Sequence, residues 1–394
     1  MPPREKLAFA DLHREPFRLF FPAATLAGLC GVSLWIPLLL GWTNDYPGTP
    51  HARVMVQGFL AGFIFGFLGT SLLRLLEVPA LTAREVFPLL AVFAGNVGAQ
   101  LAGATALGDG LFAAELAAWF LVLKGRCHAK RDLPPPSFVL VGLSFGCGLA
   151  GTMLFLAGRR GELPAELELL AKLLAYHAFV LLCVLGAGGF LLPRFLGLGV
   201  RRKFPASTTP TPDWLQTARV AGGAGLLIVL TYGLEAFGWP RSAVTLRAAL
   251  IVGYLWHELP LEQLRWTWNG VQWLLVSGLV CLPLGVLASG WLPGWRVALA
   301  HIELLSGFGL ITLGVATRVV FGHSGERTQL ERFHPPLTIA AVLLLLALLN
   351  RLTGDLVPST MASHYLYAAL CWMGGTLLWA TRVLPKVLKP DPEE

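Results

Sequence analysis

The sequence predicts an all-α fold: a polytopic transmembrane bundle of about twelve helices with both termini cytoplasmic. Three observations carry that expectation. The chain of 394 residues is 55% hydrophobic and only 13% charged, about half the charge that coats a soluble globular protein. Mean hydropathy is +0.65, and 44 Gly, 27 Pro and 13 Trp suit helices that kink and anchor in lipid. Lys and Arg gather at alternating ends of the apolar runs. About twelve spans of roughly 20 residues leave only short loops, which excludes a water-soluble enzyme, a disordered chain and a receptor with a large ectodomain.

Apolar runs bounded by charge, Gly and Pro fall at 17–41, 52–75, 85–106, 109–124, 137–158, 167–193, 214–237, 242–260, 267–289, 294–320, 335–352 and 359–384. The first, reaching from Pro16 to Trp42, is too long for a signal-peptide h-region and lacks a small-residue cleavage site. His51 opens the second and Pro193 ends the sixth. The fourth, eighth and eleventh are short and are expected to be tilted or partly re-entrant. The tenth ends in Gly322-His323-Ser324-Gly325, which predicts a tight turn with a glycine at positive φ. The whole of 1–394 reads as one integral membrane domain.

The charges test the span count. With the N-terminus inside, six of the 30 Lys and Arg lie outside (Arg53, Arg159, Arg160, Arg241, Arg296, Arg351), four lie within spans (Lys172, Arg219, Arg247, Arg318) and 20 lie inside. That is a strong positive-inside bias. The net charge of +7 therefore follows from topology, and nucleic acid is not expected as a partner. The longest loop, 194–213, is basic and Pro/Thr-rich and is expected to lie on the anionic inner leaflet. Six cysteines form no C-x-x-C pair, which argues against a disulfide framework and covalent haem attachment.

Ionisable groups inside a membrane are costly and mark candidate sites. His13 and His128 lie in inner loops, and His257, His323 and His334 at inner span ends. The other four lie toward the outer face. His51 opens span 2; by helical rise His301 is about 10 Å deep, His364 about 8 Å and His177 about 15 Å. Neutral imidazole is the commonest metal ligand, and haem iron takes one or two axial histidines at such depths. The plainer alternative gives each one interhelical hydrogen bond. Gly307 and Gly309 put His301 on a closely packed helix; Glu303 lies about 160° around it. Asn96, Gln100, Glu115, Lys172, Tyr176 and His177 form either a polar track or helix–helix glue. Arg318 either snorkels to the inner face or pairs with a buried carboxylate such as a haem propionate. His323, about 33 Å from His301, is expected to latch the helix end through backbone carbonyls or to serve as an inner-face ligand.

Several patches together resemble the NnrS family of bacterial membrane proteins. They are His51-Ala52-x-x-Met55-x-x-Gly58-Phe59, then Gly66-Phe67-Leu68-x-Thr70, then Gly188-Gly189 with Pro193. The most specific is Thr317-Arg318-Val319-x-x-Gly322-His323-Ser324-Gly325, with His301 upstream. The resemblance implies haem and copper and a link to nitric oxide tolerance or denitrification in the inner (cytoplasmic) membrane of a bacterium. The partners implied are the bilayer and a small gaseous ligand. The chain departs from the pattern. Arg53 and Val54 replace the second His and the Glu of H-A-H-E-M, Phe190 replaces an Arg, and the Trp-Thr-Gly after span 2 is missing. Copper is therefore expected to be absent or substoichiometric. Haem would take His301 with His51, His177 or His364 opposite, and Arg53 would meet a propionate. Two other classes stay open: a permease for a small solute or metal using the polar track, and a structural subunit beside other membrane subunits. A catalytic haem–copper oxidase is disfavoured, because no adjacent His-His pair exists.

Overall fold

Backbone that meets lipid has to pair within itself, and the apolar runs accordingly become helices. The computed structural model describes residues 9–159, 161, 163–266, 269–326 and 334–391, with no strand among them. Twelve long helices follow one another in these residues. They are α1 Phe17–Leu39, α2 Gly48–Leu75, α3 Ala83–Leu101, α4 Thr105–His128, α5 Pro136–Gly158, α6 Ala165–Phe195, α7 Pro212–Ala236, α8 Pro240–Glu258, α9 Gly270–Trp291, α10 Pro293–Gly322, α11 Pro335–Leu356 and α12 Met361–Val383. Nine are long and apolar enough to cross a bilayer; α3, α8 and α12 fall short of that measure. The protein is an all-helical polytopic membrane protein.

The three spans read as short are continuous helices of 24 (α4), 19 (α8) and 22 (α11) residues. The apolar run underestimated α4 because its ends carry Asp109 and the stretch Lys124 to His128. A buried partner holds the first, and in the second Arg126 pairs with Glu85 of α3 while His128 bonds the Lys124 carbonyl. Local chemistry starts several helices. Thr82 and Glu85 form a capping box on α3, Thr211 caps α7 with Pro212 at its first position, and Asn269 caps α9. Gly103, at φ +76°, turns α3 into α4 in a left-handed conformation that a side chain would strain.

Three helices form the interior. The most apolar windows of α2, α6 and α10 are 89%, 67% and 72% buried, while those of the other six membrane-length helices reach at most 44%. The inner helices therefore come every fourth along the chain. Each contains a π-helical segment: Val54–Leu60, Leu173–Ala178 and Ile302–Phe308. Such wide turns recur at functional sites. Glycines on neighbouring helices make room for two of them. A Cβ on Gly151 of α5 would stand 2.6 Å from the Ala175 nitrogen, and one on Gly285 of α9 would collide with the Glu303 nitrogen. Between α1, α2, α3 and α4 the packing is aromatic, with Phe20 edge-on to Phe65, Phe93 and Trp119 at 5.5–6.4 Å.

The two terminal segments meet at one end of the bundle. Glu15 accepts from Arg18 Nε at 2.5 Å and Arg74 Nη2 at 2.6 Å, and pairs with His323 Nδ1. Asp391 stands 3.1 Å from Arg74 and 3.7 Å from His323, and Arg18 also donates to the carbonyls of Val387 and Lys389 at 2.5 and 2.7 Å. Gly325 takes φ +71°, as the turn after α10 requires. The His323 ring bonds carboxylates rather than the backbone carbonyls expected of it, because the fold brings residues 15 and 391 to the end of α10. Of the charges counted above, Arg4, Lys6, Arg160, Arg327 and Arg332 lie outside the described residues.

Candidate functional site

At the end opposite the termini, α1, α2, α10, α11 and α12 converge on three histidines. His51, in the first turns of α2, donates from Nδ1 to the Gly31 carbonyl of α1 at 2.9 Å. Its ring lies edge-on to Trp35 at 5.7 Å. His301 donates from Nδ1 to the Val297 carbonyl at 2.7 Å, just before the π segment of α10. The charges of Arg351 and Asp355 act on it, and that of Arg351 acts on His51. Arg351 pairs with Asp355 at 3.0 Å and lies 4.2 Å over the Tyr365 ring, and the Tyr365 hydroxyl bonds Asp355. His364 bonds Asn350 Oδ1 through Nδ1 at 3.0 Å.

His177 stands apart from these. Its Nδ1 lies 2.9 Å from Glu303 Oε2, joining the π segments of α6 and α10. Both groups are at depth, and Glu303 is buried. A carbonyl or carboxylate only accepts, so the Nδ1 of His51, His177 and His301 is the donor in each contact and Nε2 is left without a protein partner in these bonds. A metal-ligating imidazole is oriented in the same way, by a hydrogen bond from its other ring nitrogen.

Arg53 has different company from that expected. Its Nε and Nη2 meet Asp109 Oδ1 and Oδ2 at 2.7 and 2.8 Å, a buried bidentate pair between α2 and α4. The edge expected to meet a propionate therefore faces Asp109. Gln57 Nε2 donates to the same carboxylate at 3.0 Å, and Gln100 Nε2 to Gln57 Oε1 at 2.9 Å. Arg159 Nη2 lies 3.8 Å from Asp109, and the Arg53 guanidinium sits 4.6 Å over the Phe155 ring. Tyr176 stands 5.4 Å from that ring and feels the Arg53 and Asp109 charges.

Of the residues proposed as a polar track, Gln100 belongs to this cluster, Tyr176 borders it and His177 turns away toward Glu303. Asn96 is buried with neither side-chain polar atom hydrogen-bonded, and the buried Glu115 has only Trp119, one turn on, for company. Lys172 is exposed and lies off the track. A second buried ion cluster joins α7, α8 and α10. Glu235 pairs with Arg247 at 2.7 Å and Arg296 at 2.5 Å, and Arg247 lies 3.5 Å over the Tyr232 ring. Sequence reasoning missed Asp109 and Glu235. Their signal was an acidic residue near the end of an apolar run, at the depth of an arginine on another run. Arg318 donates to the Phe195 carbonyl at 2.5 Å, tying α10 to the last turn of α6.

The family model of the NnrS protein matches residues 11–390. The chain belongs to the NnrS family. The match takes in His51, His177, His301, His323 and His364, as well as the Arg53–Asp109 pair. Comparison with curated proteins gives no match. This NnrS-family chain is also similar to a solved cryo-EM structure, that of a heme-copper terminal oxidase dimer. The TM-score is 0.63 at 14% identity, covering 98% of this chain and 85% of that one. At that identity the likeness is one of fold.

Proposed function

We propose that this NnrS-family protein binds haem at the end of the bundle opposite its termini, with His301 as an axial ligand and His51 facing it. We place both termini on the cytoplasmic side of a bacterial inner membrane. The observation that carries this reading is the matched pair His51 and His301. Each has Nδ1 held by a backbone carbonyl next to a π segment, and both sit in the field of Arg351. Bound there, haem would supply an iron position for a small diatomic ligand such as nitric oxide. The chain's own residues orient the two imidazoles and set the Arg351–Asp355 ion pair beside them. Trp35 packs on one of the rings. His364 and His177 are the alternative second ligands; His51 is preferred because it and His301 lie within electrostatic reach of each other and of Arg351.

Copper does not suit this chain at the position the family would use. Arg53 stands where a second histidine is usual, and its guanidinium is committed to Asp109. Copper is accordingly expected to be absent or substoichiometric. Tolerance to nitric oxide, or support of denitrification, is the cellular role this reading assigns. The test is the absorption of detergent-purified protein. A Soret band that shifts or disappears in His301→Ala and in His51→Ala supports the ligand pair, and an unchanged band in His301→Ala refutes it. One copper per chain by metal analysis refutes the copper statement. A permease for a small solute or metal is a second reading, favoured by the buried, unpartnered side chain of Asn96 and the buried carboxyl of Glu115. Colourless protein carrying bound solute would decide for it. Colourless protein with stoichiometric membrane partners would instead point to a structural subunit.

A further inference from the structure

We infer that the end of the bundle carrying the termini holds a site for the phosphate headgroup of an anionic lipid. A cavity of about 350 Å³ lies between the start of α5, the end of α6, the start of α7 and the end of α8, roofed by the loop 196–211. That is the size of a small-molecule pocket. Arg194, Arg201, Arg202 and Lys203 line it, against the two carboxylates Asp132 and Glu258. Its balance is thus positive by two.

The wall is built rather than fluid. Asp132 Oδ1 accepts from the Ser207 nitrogen at 2.9 Å, and Trp214 Nε1 donates to the Pro134 carbonyl at 3.0 Å. Arg202 is held by Thr217 Oγ1 at 3.2 Å and by His257 Nε2 at 3.1 Å. The Arg194 guanidinium lies 3.6 Å over the Phe190 ring, where the family usually has an arginine at 190. Arg201 spends itself on Glu262 at 2.8 Å, whereas Lys203 has no partner among the described residues. A fixed guanidinium beside a free ammonium suits a phosphate.

What favours lipid over a soluble phosphate is the collar. Val139, Leu215 and Trp256, one or two residues from the lining residues Ser137, Trp214 and His257, are 45%, 36% and 62% exposed. An acyl chain would lie along that apolar rim while the headgroup entered the cavity, and a basic surface at a membrane boundary attracts anionic lipid.

The full chain, purified in mild detergent, is titrated with phosphatidylglycerol or phosphatidylcholine and followed by native mass spectrometry. One phosphatidylglycerol should be retained in preference to phosphatidylcholine. Its affinity should fall about fivefold in Lys203→Gln and about 25-fold in Arg202→Gln/Lys203→Gln. It should be unchanged in Lys124→Gln, an exposed cation on the same end. Because Arg202 also bonds Thr217, the single Lys203→Gln variant keeps the test valid if the double variant fails to fold. Equal retention in wild type and Lys203→Gln overturns the site. Stoichiometric, Lys203-dependent binding of inorganic phosphate in equilibrium dialysis, with no preference between the two lipids, overturns the lipid as its source.

Discussion

Breaking the Arg53–Asp109 pair from one side should destabilise the bundle far more than removing both partners. Asp109 is fully buried and accepts four hydrogen bonds, three at 2.7, 2.8 and 3.0 Å and a longer one from Gln100 at 3.3 Å. Charge-assisted bonds contribute about 1.5–3 kcal/mol each, so the gross worth of the three short ones is about 4.5–9 kcal/mol. Taking the two ions out of water costs several kcal/mol apiece, and the intact pair nets near zero. Asp109→Leu leaves the guanidinium buried without its counter-ion, a loss of about 3–5 kcal/mol. Arg53→Met strands the carboxylate less completely, since Arg159 stays 3.8 Å away and Gln57 still donates to it. The double variant restores neutrality and should cost under about 2 kcal/mol, giving a coupling energy above about 2 kcal/mol. Equilibrium unfolding in mixed dodecyl maltoside–SDS micelles, read by helicity, measures all four proteins. A loss below about 1 kcal/mol in Asp109→Leu, or a double variant as unstable as the two singles added, would refute the argument.

Gly285→Leu should cost about 1–3 kcal/mol in the same assay, since its Cβ would collide with the backbone of Glu303, and should weaken the His177–Glu303 contact; wild-type stability would contradict this. The latch joining the termini should open in acid. Burial raises the Glu15 carboxyl, but the bond to His323 and the charges of His323, Arg18 and Arg74 outweigh it and leave it below its usual 4.5. A depressed carboxyl contributes stability above its unfolded value and loses it as pH falls through the folded one. Protection factors of residues 9–16, taken against intrinsic exchange at each pH, should therefore be high and flat above about pH 4.5 and fall below it, and Glu15→Gln should abolish the dependence. His323→Ala should likewise speed that exchange while leaving any Soret band in place. A cysteine at Gly161 should react with impermeant maleimide from the periplasmic side and one at Ser207 only after lysis; the reverse pattern would invert the proposed topology.

Much of the fold was legible because lipid tolerates so few backbone arrangements. Apolar length alone located the helices, and failed mainly where a charge near a run's end was read as its boundary. Asp109 lies inside α4 because Arg53 neutralises it, a fact about two helices that no single run contains. Depth arithmetic set His51, His301 and His364 toward one end, and the fold gathers them there. The same arithmetic could not tell that Lys172 faces outward while Tyr176, one turn on, faces Arg53. Helical phase was the second obstacle. A 3.6-residue period carried through Leu173–Ala178 misplaces every side chain beyond it, and His177 lies within that segment. Glu15 and Asp391, at opposite ends of the chain, could not be linked to His323 by any local pattern.

The wide turns of α2, α6 and α10 also bear on how such a chain can change by insertion and deletion. Each accommodates one more residue than an α-turn would, so each is a place where a residue can be lost without shortening the hydrogen-bonded rod on either side. Elsewhere in a buried helix a deletion swings every later side chain by about 100° and strips the packed face of its partners. Here the same loss would turn a wide turn into an ordinary one. The price is borne locally, by the histidine and carboxylate that the extra residue now aims inward. Length variation among relatives should thus gather at these three turns, and a chain lacking one of them should have rebuilt the imidazole environment on that helix.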